Sequence, residues 1–154
     1  MIATLLRRPA RLGRARATDA PAIAAILSDW TDETQWIARI HSREAELAFV
    51  RDLVARGWVT VARREGRVVG FLAQNADEVV ALHVAAGARG QGVGAALLCR
   101  ARRGRARLAL WTYQFNTPAR AFYERHGFVE VARTGGAGND AKLPDIRYEW
   151  RRRR

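Results

Sequence analysis

The chain has 154 residues, 49% hydrophobic and 27% charged, which suits one domain with a core that needs no staples and does not suit a disordered polymer. The formal net charge of +12 is concentrated in residues 1–16, 100–107 and 151–154, and the remainder sums to −2, so nucleic acid is not the expected partner of the domain body. A lone cysteine excludes an internal disulfide, three His give no cluster at zinc-ligand spacing, and no apolar run approaches the roughly 18 residues of a membrane span, so a cytoplasmic protein without a metal is expected.

Residues 11–17 read as a first strand. Thr18, Asp19 and Pro21 then open a helix whose apolar positions Ile23, Ile26, Leu27 and Trp30 recur at helical spacing until the polar stretch 31–34. A second helix starts near Ser42, carries Glu44 and Glu46 in its first turn, and stops at Gly57. Three short strand-like runs follow at 58–62, 68–73 and 78–84, separated by tight turns, which makes an antiparallel meander. The glycine-rich stretch 88–94 leads into a third helix ending at Gly104. Residues 107–113 are a strand, Thr117 and Pro118 open a helix that Gly127 stops, and strands at 128–134 and 145–150 close the chain. No internal repeat or long linker divides residues 1–154. One mixed α/β domain is expected, its core spanning about residues 12–150, with basic ends at 1–11 and 151–154 that behave as flexible tails.

The strongest local signal is Arg89-Gly90-Gln91-Gly92-Val93-Gly94, between an apolar strand and an amphipathic helix. Glycines there let a ligand approach the backbone, and the orphan N–H groups and positive dipole end of the helix favour a phosphate or pyrophosphate. A dinucleotide-binding fold would place such a loop in a parallel βαβ unit, whereas an antiparallel meander precedes it here, and no Lys-Ser or Lys-Thr follows as a P-loop requires.

Arg89, Gly92 and Gly94 fit a phosphate loop of the form Arg or Gln, two residues, Gly, one residue, Gly or Ala. Downstream stand Asn116, the Phe122-Tyr123 pair and, four residues on, Gly127-Phe128. In these two motifs and in its element order the chain resembles the GNAT acyltransferases. The resemblance implies a mixed, mostly antiparallel sheet of six or seven strands flanked by four helices. Its fourth and fifth strands would splay to hold acetyl-CoA, with the pyrophosphate on the loop formed by Arg89, Gly90, Gln91, Gly92, Val93 and Gly94.

The implied reaction is direct acetyl transfer to a primary amine, expected to belong to a small molecule. It needs a neutral amine, donors for the developing oxyanion and a proton for the departing thiolate. The resemblance assigns the donors to backbone N–H groups of Leu82, His83 and Val84, and the acid to Tyr123, a phenol with a reference pKa of about 10 beside a thiol of about 8.5. Asn116 and Ala119 match residues along the pantetheine arm, Asn116 being equally a helix cap. Strand alternation would put Glu78, Val80, Leu82 and Val84 on one face and Val79, Ala81 and His83 on the other. Glu78 is then either the general base or a solvated strand-start residue, and His83 either packs or titrates.

The acceptor side falls to residues 30–41 and 135–144. Glu33, Trp36 and His41 are its candidate substrate contacts, unless Trp30 and Trp36 simply fill the core; Asp32 adds a further acid, and the glycine-rich loop at 135–138 suits a rim or lid. Cys99 has no adjacent His or acid to support an acyl-cysteine route. The alternatives left open are acetylation of protein N-termini or lysines, and a CoA-sensing module whose Arg clusters hold an acidic partner or nucleic acid. The resemblance also admits a homodimer.

Overall fold

A computed structural model describes residues 8–154. Seven strands form one sheet: β1 (Arg11–Arg14), β2 (Val59–Arg64), β3 (Arg67–Asn75), β4 (Glu78–Val84), β5 (Arg107–Tyr113), β6 (Val129–Thr134) and β7 (Asp145–Arg151), in the spatial order β1-β2-β3-β4-β5-β7-β6. Four helices flank it: α1 (Ala20–Glu33), α2 (Arg43–Ala55), α3 (Val93–Arg102) and α4 (Thr117–Arg125). This is the single α/β GNAT-like architecture the sequence implies, with every strand pair antiparallel except β4–β5. Among the described residues no helix is long and apolar enough to cross a membrane.

Each face of the sheet buries its own core. On one face α3 and α4 pack Leu97, Leu98, Ala101 and Tyr123 against Leu72, Val79, Leu108, Leu110, Ile146 and Tyr148. On the other, α1 and α2 pack Ile23, Ile26, Val50 and Leu53 against Val59, Val61, Phe71 and Ala73. Period-2 burial along the strands and 3.6-residue periodicity along the helices meet in these two layers. Helix ends follow the capping chemistry of the sequence: the Ser42 hydroxyl accepts from Ala45 N–H (3.1 Å), and the Asn116 carbonyl accepts from Ala119 N–H (3.2 Å).

The first strand is shorter than the sequence suggests. After Arg14 the chain turns, because the Asp19 carboxylate accepts from Arg16 N–H (2.7 Å) and is clamped by the Arg63 guanidinium (Nη1 at 2.7 Å), tying the start of α1 to β2. That clamp holds the buried Asp19 carboxyl below its ordinary pKa, the Arg63 hydrogen bonds outweighing the opposing effect of burial.

Simple strand alternation fails in β4. Ala73 pairs with Ala81 but Gln74 pairs with Val79, so Val80 is an extra, unpaired residue, a β-bulge, and lies 43% exposed. Side chains therefore change sides there. Val79, Leu82 and Val84 pack on the α3 face, whereas Ala81 and His83 lie on the α1 face, and Glu78 joins them rather than Leu82 and Val84.

At the C-terminus Arg151 belongs to β7 and Arg152 N–H donates to Ala106 O (2.8 Å), so the last arginines begin as ordered chain beside the 100–107 cluster. Some of that charge is already used: Arg107 and Arg151 share Glu149, and Arg102 stacks on Trp150 with 4.8 Å from guanidinium carbon to ring centroid. Most of the other basic end, residues 1–7, lies outside the described residues.

Leu98 is wholly buried between α3 and the sheet, so Leu98→Ala should lower unfolding free energy by about 2–5 kcal/mol, read as a shifted denaturation midpoint at unchanged m-value.

Candidate active site

The parallel strands β4 and β5 pair only at their starts, through Glu78 opposite Ala109 and a bond from Ala109 N–H to Asp77 O (2.8 Å). Beyond that point they part, and a cleft of about 1100 Å³ opens between their C-terminal ends. On β4, Ala85 N–H bonds Val69 O (2.8 Å), so alternation along the antiparallel pair turns the backbone groups of His83 toward β3 and those of Leu82 and Val84 into the gap. Leu82 and Val84 thus offer the N–H groups expected there. His83 offers its side chain instead.

At the cleft's end, Gly92 caps α3 in the left-handed conformation (φ 83°) and Ala96 N–H is the first to find a helical acceptor, on Gly92 O (3.0 Å). The N–H groups of Val93, Gly94 and Ala95 are left for a ligand. Gly94 lies beside the Phe122 ring, which packs α4 against the loop; a Cβ there would sit 3.4 Å from it, in van der Waals contact. Open space at Gly90 and Gly92, orphan N–H groups and a positive dipole end fit a pyrophosphate. Gln91, in contrast, does not line the cleft; its side chain bonds Gly87 O (3.1 Å) and accepts from Arg64 (2.6 Å).

Tyr123 is buried, 7% exposed, between Phe122, Phe128 and Tyr148, yet it lines the cleft and its hydroxyl has no hydrogen-bond partner among the described residues. Burial pushes its pKa above the ordinary phenol value, so it holds its proton. Ala119 and Asn116 line the same wall, the Asn116 carbonyl being committed to its cap.

An aromatic chain walls the gap on the α1 face. His83 on β4 meets Trp30 (5.0 Å between centroids), Trp30 meets Trp36 (5.9 Å), and Trp36 meets Tyr113 on β5 (5.7 Å). Trp36 and Glu33 line the cleft, and Trp30 and Trp36 are half-buried wall residues rather than interior filling. His41 does not line it: it is exposed, with Nε2 3.3 Å from Asp140 Oδ2. Nor does Glu78, which Arg147 clamps with both guanidinium nitrogens (Nη1 to Oε2 2.8 Å). Asp32 is likewise engaged, by Arg39 (2.8 Å) and Arg43 (2.6 Å); Arg39 also donates to Ser28 O (2.9 Å) and so staples the segment between α1 and α2. The 135–144 loop is tied by Asn139, whose amide donates to Leu143 O (2.7 Å) and Asp145 (3.0 Å).

Sequence reasoning missed Trp111, Tyr113 and Asp145 in the lining, whereas Asn139 lies in the 135–144 segment it assigned to the acceptor side. The pairing of Tyr113 with Asp145 at the open end of β5 and β7 brings them there, and the only local signal was the strand start at residue 145.

Set against known proteins, residues 55–130 match the family model described as an acetyltransferase (GNAT) domain. Among solved structures, apo YjaB from Escherichia coli superposes with TM-score 0.79 at 23% identity, over 93% of this chain and 98% of that one. A ribosomal-protein-alanine N-acetyltransferase from Brucella melitensis gives 0.71 at 25%, over 92% and 99%, and yncA, a putative acetyltransferase from Salmonella typhimurium with its cofactor acetyl-CoA, gives 0.72 at 21%, over 94% of each. No curated protein matches in sequence. Over residues 55–130 the chain is similar to the GNAT acetyltransferase domain, and its described fold is that of these structures.

Burial, and secondarily the Arg89 charge, lowers the His83 pKa to about 4, below the 6.5 of a free imidazole. The folded state therefore binds less proton than the unfolded chain between those values, and its stability falls as pH drops through that window. Acidification from pH 6.5 to 4 should cost wild type up to about 3 kcal/mol more than His83→Gln in parallel denaturant titrations.

Proposed function

We propose that the protein transfers the acetyl group of acetyl-CoA directly to a primary amine of a small molecule. The observation that carries this reading is the gap between β4 and β5: it runs from N–H groups at the start of α3 to a protonated Tyr123 hydroxyl, both without partners among the described residues, with an aromatic wall on the far side. Acetyl-CoA supplies the activated thioester. The loop at residues 89–94 would hold its pyrophosphate, and Leu82 and Val84 N–H groups would line the pantetheine arm and offer donors to the developing oxyanion.

Tyr123 gives its proton to the departing thiolate, a role suited to a phenol that burial keeps neutral. Glu78 is held by Arg147 away from the cleft, and burial makes the His83 ring a weak base, so the proton of the attacking amine leaves through water in the gap. The wall of Trp30, Trp36 and Tyr113 narrows the acceptor's approach, which favours a compact amine. A second reading, acetylation of protein N-termini, draws support from the ribosomal-protein-alanine N-acetyltransferase among the similar structures.

Saturating acetyl-CoA should raise Tm by several degrees, and free thiol should appear on adding small primary amines and not on adding peptides; release with peptides alone would favour the second reading. Tyr123→Phe should bind acetyl-CoA as tightly as wild type by calorimetry while kcat falls by about 10²-fold, and an unchanged kcat would assign the proton to water.

A further inference from the structure

Arg89 does not stay over its own loop. Its Nε donates to Val84 O (3.0 Å), and its Nη2 pairs with Glu33, the last residue of α1. Both side chains line the cleft, and neither has another ion-pair partner among the described residues. Glu33 lies one turn beyond Trp30 on α1, so it belongs to the aromatic acceptor wall, whereas Arg89 belongs to the phosphate loop. The two ligand halves of the cleft are thus joined by one ion pair. With 43% and 39% of their side chains exposed, the partners sit in water's reach, where such pairs are weak and readily exchanged.

A pyrophosphate at the start of α3 would bring two negative charges to Arg89 against the single charge of Glu33. We propose that the Arg89–Glu33 pair is an exchangeable latch: occupation of the phosphate loop withdraws Arg89, and the freed Glu33 carboxylate, beside Trp30 and Trp36, then holds a positively charged group of the acceptor.

This inference rests on the function proposed above and narrows its substrate class. A carboxylate in contact with the reacting nitrogen would keep it as ammonium, which cannot attack, so the group held by Glu33 is a second cation on the acceptor. The acceptor is therefore a diamine or an amine bearing a guanidinium. The linkage is reciprocal, cofactor and acceptor each tightening the other by the same factor.

The test is calorimetry with CoA, which cannot react, and 1,4-diaminobutane or n-butylamine as the acceptor probe. In wild type, saturating CoA should tighten diaminobutane binding by about fivefold or more, with a smaller effect on n-butylamine. In Glu33→Gln, CoA itself should bind about two- to fivefold tighter, because Arg89 is no longer held, and diaminobutane affinity should lose its dependence on CoA. Asp52→Asn, on α2, should match wild type in both titrations. Coupling that survives in Glu33→Gln, or a wild type that binds CoA yet binds n-butylamine as well as diaminobutane, overturns the latch while leaving the proposed activity standing. Failure of wild type to bind CoA at all overturns that activity, and the latch with it.

Discussion

Two parallel strands that meet at one end and part at the other leave backbone hydrogen-bonding groups without partners. β4 and β5 do this within the sheet: one register contact at Glu78 and Ala109 holds them, and from there to Val84 and Tyr113 the ladder is missing. Buried N–H groups do not stay orphaned in proteins, so the gap is a standing demand for a ligand with hydrogen-bond acceptors along its length. The start of α3 adds its own unpaired N–H groups at one end of the same opening. Every other feature of the site follows from keeping this gap open and lined.

The two cores divide that work. The α3/α4 layer carries the phosphate loop and Tyr123, locked by Gly94 against Phe122 and by the buried contacts of Tyr123 with Phe128 and Tyr148. The α1/α2 layer carries the acceptor wall, held in place through Arg39 on Ser28 and Asp32 and through Asp19 on Arg63. Trp30 and Trp36 span from His83 on β4 to Tyr113 on β5, so the splayed strands are bridged by rings where they lack hydrogen bonds. The Arg89–Glu33 pair is a direct polar link between the two layers at the cleft, which is why it is suited to couple their ligands.

Much of this was legible in the residues. Capping side chains, stop glycines and period changes placed all four helices and seven strands within a few positions, and the glycines at 90, 92 and 94 marked the turn into α3 because their chemistry is local. What was not legible depends on pairing between distant strands. The extra residue at Val80 follows from the register against Ala73 and Gln74, and it alone moves Glu78 to the other face; no local pattern distinguishes that bulge from a regular strand. The same holds for the partners of charged residues. Glu78 looked free as a base until Arg147, sixty-nine positions away, was brought beside it, and Asp145 and Tyr113 entered the lining only because β7 pairs with β5. Composition, in turn, showed the arginine clusters but not that two of them meet at one edge.

The most direct test of the account is an amide NMR titration of the isotopically labelled protein with CoA. If the gap and the helix start form the cofactor site, the largest shifts fall on the N–H groups of Leu82, Val84, Val93, Gly94 and Ala95. Shifts confined instead to the arginine edge at residues 100–107 and 151–154, with the β4 and α3 amides unmoved, would contradict it.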